Sequence, residues 1–456
     1  MLGRTKRIHF VGIGGIGMSG IAELLKIQGF DISGSDMNAT DLTRHLQSLG
    51  ITVHAGHDAA VVHDADVVVK SSAVTDDNPE VAAALAQKIP VIRRAEMLSE
   101  IMRMSYGIGI AGTHGKTTTT SMVGMVLQAA ALEPTIIVGG KVMNLSSNNL
   151  LGSGEHIVVE ADEFDRSFLT LTPIIAGITN IEADHLDCYP DLAGIQDAFV
   201  EFANKVPFFG CIIACLDDHG VQAVIPRFTK RLLTYGFSRQ ADVRAVNVHL
   251  DGFAGSYDLI FNGYTLGRID LRVMGRFNIL NSLLAASVGL ELDIPFEAIR
   301  DGLGEFKGVF RRFEHKGERD GVTVYDDYAH HPTEIEATLS GVREASNRRI
   351  VAVFQPHLFS RTRDFADEFG RSFYHADVLL VTPIYPAREQ PLPGITGRLI
   401  AEAAIQSGHR DVHYIERNDD IVPTIEQLAL EGDIVITMGA GPIFHYGERY
   451  LAGGDN

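Results

Sequence analysis

The stretch Ile8-His9-Phe10-Val11-Gly12-Ile13-Gly14-Gly15-Ile16-Gly17 decides how this chain is read. A strand-like run enters a glycine turn, an apolar-periodic stretch follows to Ile27, and a second short strand runs from Asp31 to Gly34. That is the opening of a βαβ unit. A turn of this kind lets the backbone approach a pyrophosphate and aims a helix N-terminus at its charge. Asp36 closes the next strand about 20 residues beyond the loop, where a dinucleotide-binding unit places the acid for a ribose hydroxyl. Ser71 and Ser72 follow a strand ending at Lys70 and belong to the same carboxyl edge. The loop Gly12 to Gly17 with Asp36, and with Ser71 and Ser72 beside it, forms one candidate site for a dinucleotide-like ligand. The plainer alternative is a tight turn and ordinary loop serines.

Outward from this unit, short apolar runs at Asp66–Val69 and Val91–Ile92 alternate with helical patterns, as expected of a parallel sheet with helices on its faces. A fresh strand, Tyr106–Ala111, runs into Gly112-Thr113-His114-Gly115-Lys116-Thr117-Thr118 and a Thr-rich helix start. Backbone amides of such a turn hold phosphates, Lys116 adds a point charge, and Thr117 offers a hydroxyl to Mg2+. The strict phosphate-loop spacing would need glycine at 110, where Ile110 stands. Glu160 ends the run Ile157–Val159 and opens the acidic segment Ala161–Asp165, where a strand end can hold a cation beside the phosphate loop. His185 lies in the acid-rich loop after Ile174–Ile178. Alternating short strands fill Asp242–Leu271, which predicts an antiparallel annex. A connector at Gly304–Phe313 precedes strands at Val322–Tyr325, Ile350–Phe354, Val378–Val381 and Ile434–Thr437. In this third α/β segment Asp326-Asp327-Tyr328-Ala329-His330-His331-Pro332 gathers acids, a tyrosine and imidazoles at a helix-opening proline.

The length of 456 residues suits three domains at about 150 residues each, and 45% hydrophobic with 21% charged residues is the composition of a globular protein. Lys plus Arg is 39 and Asp plus Glu is 58, a net charge of −19, which argues against a nucleic acid or an anionic membrane as the main partner. No run of about 18 apolar residues occurs and the N-terminus lacks a signal-like apolar stretch, so a cytoplasmic location is expected. Cys188, Cys211 and Cys215 read as reduced bystanders, with neither a disulfide framework nor a zinc pattern.

Taken together, these motifs resemble the ATP-dependent Mur ligases of peptidoglycan synthesis. The likeness spans nearly the whole chain and rests on Val11–Gly20, Gly112–Thr119, Glu160–Asp165, Asn180–Asp187, Arg311–Glu314, Asp326–Pro332, Gln355-Pro356-His357 and Ser360–Arg363. It implies an α/β chain of three domains: a Rossmann-like UDP-sugar domain at 1–106, a central phosphate-loop ATPase domain at 107–309 and a Rossmann-like C-terminal domain at 310–456. It implies that Gly112, Thr113, His114, Gly115, Lys116, Thr117 and Thr118 bind ATP, and that Thr117, Glu160 and His185 hold Mg2+, a shell also compatible with Mn2+. Asn278 would read adenine, Arg312 and Asp327 would contact the nucleotide, and Tyr328, His330 and Arg361 would face the amino acid and an acyl phosphate. Lys116, His330 and Arg361 are the implied catalytic residues. The substrates implied are UDP-N-acetylmuramate and L-alanine, with no nucleic acid or membrane partner and with either a monomer or a homodimer allowed.

Three departures from the family pattern stand out: Phe277 before Asn278 where many members have histidine, Leu358 where they have arginine, and Pro442 where they have aspartate. Sister ligases carry a modified lysine in the helix after the His185 loop; Asp197–Phe202 has none, as in the alanine-adding branch. The nearest alternative is a ligase that reattaches recycled murein tripeptide, which differs in its first glycine loop. An NAD-dependent oxidoreductase would explain only the first glycine turn, and a nucleotide-sensing module would not need so many acids and histidines at strand ends.

Overall fold

Strands of this chain are short and most are buried on both faces, because helices cover both sides of the sheets they form. The computed structural model describes residues 4–453 except 72, 140–148, 165, 185–187 and 388. The chain divides into two units, residues 1–246, 258–269 and 280–305 in the first and 247–257, 270–279 and 306–456 in the second.

In the first unit the elements run β1 (Arg7–Val11), α1 (Ile16–Ile27), β2 (Asp31–Asp36), α2 (Asp41–Ser48), β3 (Thr52–Ala55), β4 (Val67–Lys70), α3 (Pro79–Ala86), β5 (Val91–Arg93) and α4 (Arg94–Arg103). Their sheet has the order β3-β2-β1-β4-β5 with all pairs parallel. The order reverses on either side of β1, so the crevice at the carboxyl ends of β1 and β4 is where such a sheet takes a ligand. A second sheet follows from β6 (Tyr106–Ala111), α5 (Lys116–Ala129), β7 (Thr135–Ile137), β8 (Asn149–Leu150), β9 (His156–Glu160), β10 (Ile175–Ile178), α6 (Leu192–Asn204), β11 (Cys211–Cys215), α7 (His219–Val224) and β12 (Leu232–Gly236). Here β12-β11-β10-β6-β9-β7 are parallel, and β8 adds an antiparallel edge. Central β6 carries Gly107 and Gly109 because its neighbours leave no room: a Cβ at Gly107 would stand 2.3 Å from Met102 Cγ. In the same way Gly124 lets α5 close on Ile136, whose Cδ1 would lie 2.2 Å from an added Cβ.

The expected annex is β13 (Val243–Asp251), β14 (Ala254–Phe261) and β15 (Tyr264–Leu271), neighbours in that order after β12. Two-residue connections make these successive neighbours antiparallel, and Asn262 and Gly263 both take positive φ, 49° and 85°, as a tight hairpin turn requires. The long helix α8 (Arg276–Glu291) and α9 (Phe296–Gly304) follow.

In the second unit β16 (Glu314–Arg319), β17 (Val322–Asp327), α10 (Pro332–Ala345), β18 (Ile350–Phe354), α11 (Phe359–Asp364), α12 (Ala366–Ser372), β19 (Val378–Val381), α13 (Arg398–Gln406), β20 (Val412–Tyr414), α14 (Ile421–Leu428), β21 (Ile434–Met438) and α15 (Phe444–Ala452) build a sheet ordered β16-β17-β21-β18-β19-β20. Only the edge strand β16 is antiparallel to its neighbour. Among the described residues no helix is long and apolar enough to cross a membrane.

Candidate active site

The turn between β6 and α5 is shaped by the strand beside it. Gly112 has φ 144° and Gly115 φ 81°; a Cβ would meet Thr179 Oγ1 at 1.8 Å in the first case and Asn281 Oδ1 at 2.6 Å in the second. The segment after β10 pins the loop: Thr113 N donates to Asn180 O (3.1 Å), His114 N to Asn180 Oδ1 (2.8 Å), and Thr179 Oγ1 to His114 O (2.6 Å). His114 Nε2 lies 3.5 Å from Glu182 Oε2. Thr118 is buried within α5. Lys116 folds back on its own loop. Its Nζ donates to Gly112 O (2.7 Å), Thr113 O (3.1 Å) and both oxygens of Glu163 (3.0 and 2.8 Å). Burial opposes the charge on Lys116, but Glu163 and Asp162 outweigh it and hold the pKa above its ordinary value. Thr117 Oγ1 donates to Glu160 Oε1 at 2.9 Å, and Gly139 N to Glu160 Oε2 at 2.7 Å. Burial pushes the Glu160 carboxyl up from its ordinary range. A hydroxyl and a carboxylate oxygen brought together beside a loop built for phosphate suit a hard cation such as Mg2+. His185, expected as a third ligand, lies outside the described residues, as does Ser72.

Around the first glycine turn, Gly12 and Ile13 N both donate to Ser35 O (2.9 and 3.0 Å), and Gly14 N donates to Asp36 Oδ2 (2.9 Å). Asp36 thus holds the loop itself, with its second oxygen accepting from Asn38 N at 3.0 Å. Ser71 packs under Gly12, its Cβ 3.1 Å from where a Gly12 Cβ would be. Gly17 faces the Arg94 guanidinium, whose Nη1 would lie 3.1 Å from a Cβ there. Gly15 is the roomy position: an added Cβ meets nothing nearer than Gly12 O at 3.6 Å. No side chain caps α1, and its N-terminus carries the partial positive charge that favours an anion.

The second unit assembles its own cluster. Arg312 Nη1 donates to Glu334 Oε1 at 3.0 Å, and Glu334 Oε2 accepts from His330 N at 3.0 Å, with His330 Nδ1 at 3.2 Å. His330 Nδ1 also sits 3.0 Å from Tyr328 O. Two acceptors at Nδ1 mean that this nitrogen carries the proton, which leaves Nε2 as the lone-pair nitrogen of the neutral ring. Arg312 lies over the Tyr328 ring at 5.3 Å. Asp327 accepts from Phe313 N (2.9 Å), Ala329 N (2.7 Å) and Thr338 Oγ1 (3.2 Å), yet burial outweighs Arg312 and pushes its carboxyl up to about 6. Arg361 is buried on α11, whose N-terminus is clamped by Glu389 accepting from Phe359 N (2.6 Å) and Ser360 N (3.0 Å). Leu358, just before that helix, has φ 70° and ψ 139°. Asn278 is buried and donates through Nδ2 to Met274 O at 2.9 Å.

Asn281, Arg94, Glu334 and Glu389 are residues that motif reading passes over. Asn281, Arg94 and Glu389 reach their sites from distant parts of the chain, so spacing carries no trace of them, while Glu334 lies one helical turn beyond His330.

Comparison with known proteins bears on all three segments. Descriptions of Mur ligase domains match most of the chain: "Mur ligase family, catalytic domain" at 7–106, "Mur ligase middle domain" at 110–289 and "Mur ligase, glutamate ligase domain" at 311–441. The UDP-N-acetylmuramate–L-alanine ligase of Salinibacter ruber is 53% identical over 99% of this chain and 95% of its own length, and that of Trichlorobacter lovleyi is 53% identical over 99% of both. Among solved structures, a UDP-N-acetylmuramate–alanine ligase from Thermotoga maritima aligns with TM-score 0.77 at 29% identity over 98% of this chain and 99% of that one. A murein peptide ligase from Psychrobacter arcticus aligns at 0.68 and 25% over 98% of each.

Proposed function

This chain belongs to the Mur ligase family, and from that premise we propose that it joins L-alanine to UDP-N-acetylmuramate with cleavage of ATP to ADP and phosphate. The observation that carries the reading is the full-length identity of more than half with relatives named for this reaction. The glycine-turn lysine and its acidic neighbours give the reaction a physical basis. An NAD-dependent oxidoreductase gives Lys116 and Thr117 no task, and the murein peptide ligase that supports the tripeptide-reattaching reading is 25% identical, against 53% for the alanine ligases.

Residues 1–106 are assigned to the UDP-sugar, 107–309 to ATP and 310–456 to the amino acid. The lactyl carboxylate attacks the γ-phosphorus to give an acyl phosphate, and the alanine amine then displaces phosphate. Lys116 and the loop amides neutralise charge on the transferring phosphoryl group, where positioning and electrostatics do most of the work. To do so Lys116 exchanges Glu163 for phosphate oxygens. Thr117 and Glu160, with His185 as a third ligand, would hold Mg2+ or Mn2+, which when bound would add neutralisation of phosphate charge. His330 Nε2 is the acceptor for a proton of the alanine ammonium, with Nδ1 anchored on Tyr328 O and Glu334. Arg361 and Tyr328 face the amino acid and acyl phosphate, and Asn278, Arg312 and Asp327 serve the nucleotide. The enzyme is placed in the cytoplasm, where its nucleotide substrates are.

The test is a product assay with radiolabelled alanine, UDP-N-acetylmuramate, ATP and magnesium. ADP should form only when both co-substrates are present, and label should move into a UDP-sugar product. NAD+ reduction without ADP formation would overturn the reading, and more product from a diaminopimelate-ending tripeptide than from alanine would favour the recycling ligase.

A further inference from the structure

Beneath the first glycine turn lies a buried polar cluster that none of the assigned roles uses. Glu80, the second residue of α3, is fully buried together with His9 of β1 and Ser35 of β2. The start of α3 is set by Pro79 and by Asn78, whose side chain accepts from Glu80 N at 3.0 Å. That cap turns the Glu80 side chain into the sheet's carboxyl edge. There Oε2 accepts from Ser35 Oγ (2.6 Å) and contacts His9 Nε2 (3.2 Å), while Oε1 accepts from Asp58 N (3.0 Å) just beyond β3. Because the single Ser35 hydroxyl proton goes to Glu80, His57 Nδ1, 3.0 Å from Ser35 Oγ, must be the donor to that oxygen. One carboxylate thus ties together the middle of β1, the end of β2 and the segment that follows β3. A buried carboxylate is tolerated only when its lone pairs are filled in this way.

Ser35 is also the residue whose carbonyl receives both Gly12 N and Ile13 N, and its neighbour Asp36 receives Gly14 N. The first three N–H groups of the turn are therefore set by two residues at the end of β2, and Ser35 is held from behind by Glu80. We propose that Glu80 is a positioning residue for UDP-sugar binding, acting through Ser35 to fix the glycine turn. The proposal rests on the reading of that turn as the UDP-sugar site. Glutamine keeps the shape but loses the charge: with its NH2 end toward Asp58 N two donors face each other, and with that end toward Ser35 Oγ and His9 both of those groups must reverse their protons.

The experiment measures initial rates with each substrate varied, for the wild type, Glu80→Gln, Ser35→Ala and Gly15→Val, with thermal melts run alongside. Ser35→Ala cuts the link to Glu80 but keeps the backbone carbonyl, so it tests the proposal even if Glu80→Gln fails to fold. The KM for UDP-N-acetylmuramate should rise on the order of tenfold in Glu80→Gln and by a smaller factor in Ser35→Ala, while the KM for ATP and kcat stay within about twofold. A purely structural role would instead lower the melting temperature and leave the KM values of the folded fraction unchanged. That outcome, or equal shifts for both nucleotides, overturns the proposal. If Gly15→Val alone raises the UDP-sugar KM, the turn keeps its ligand and Glu80 loses its role; if Gly15→Val changes nothing, the reading of the turn itself fails.

Discussion

Lys116 illustrates what a single residue can reveal once its partners are known. Its side chain is 12% exposed and that of Glu163 is 2% exposed, so removing the ammonium strands a buried carboxylate. Breaking such a pair from one side costs about 3–5 kcal/mol. Lys116→Ala should therefore lower both kcat, on the order of 100-fold or more from the lost transition-state contact, and the melting temperature. The double variant Lys116→Ala/Glu163→Gln should recover the melting temperature and leave kcat low, which thermal melts and steady-state rates would separate. Recovery of both would mean that the lysine acts only as a structural counter-ion. Asp327 offers a second test at this scale. With its folded pKa pushed up to about 6 from 3.8, the folded state holds a proton that the unfolded chain releases between those values. Its contribution to stability is thus greatest below the unfolded value and is lost as pH rises through about 6. Denaturant titrations should show wild-type stability falling relative to Asp327→Asn across that window and running parallel above it; a constant difference would contradict the assignment.

Among the elements, α11 is too short to stand alone, since a helix of six residues cannot recover the cost of its first turn. It is held by the Glu389 clamp and by the backbone of Leu358, which sits where non-glycine residues cost about 1–3 kcal/mol. Without the clamp that strain would be released by unwinding the segment that carries Arg361. Glu389→Ala should raise the KM for L-alanine several-fold and leave the UDP-sugar KM unchanged, as initial rates would show; an unchanged alanine KM would detach α11 from the amino acid. Elements differed in how plainly they could be read. Tyr106–Ala111 and Ile350–Phe354 match observed strands residue for residue, because a buried parallel strand is a continuous apolar run ended by a turn. Thr52–Ala55, Cys211–Cys215 and Val412–Tyr414 went unread: two are very short, and a run such as Cys-Ile-Ile-Ala-Cys suits a buried helix as well as a strand. The glycine turns, Thr117 with Glu160, and His330 were legible from motif and spacing. Glu80, Arg94, Asn281 and Glu389 were not, because what gives them meaning is a contact made by tertiary folding.

For the molecule as a whole, most candidate site residues gather at the carboxyl ends of parallel strands and in the segments that follow them, while central strands such as β10, β18 and β19 are wholly apolar. The buried thiols follow the same division: burial pushes Cys215 up to about 11 and raises Cys211, so an alkylating reagent at neutral pH should label neither in the native protein. The embrace of Lys116 by Glu163 has one more consequence, for the speed of encounter. A loop whose cation is already neutralised projects little attraction into solvent, and the chain as a whole carries a net charge of −19. An incoming nucleotide anion therefore meets a repulsive field until it is close enough to pull the lysine from its partner. Salt shortens the reach of such a field to about 10 Å at 0.1 M. Stopped-flow association of ATP should thus quicken as potassium chloride is added, the reverse of an enzyme that draws its substrate in with exposed positive charge; capture here begins with contact, not with long-range attraction.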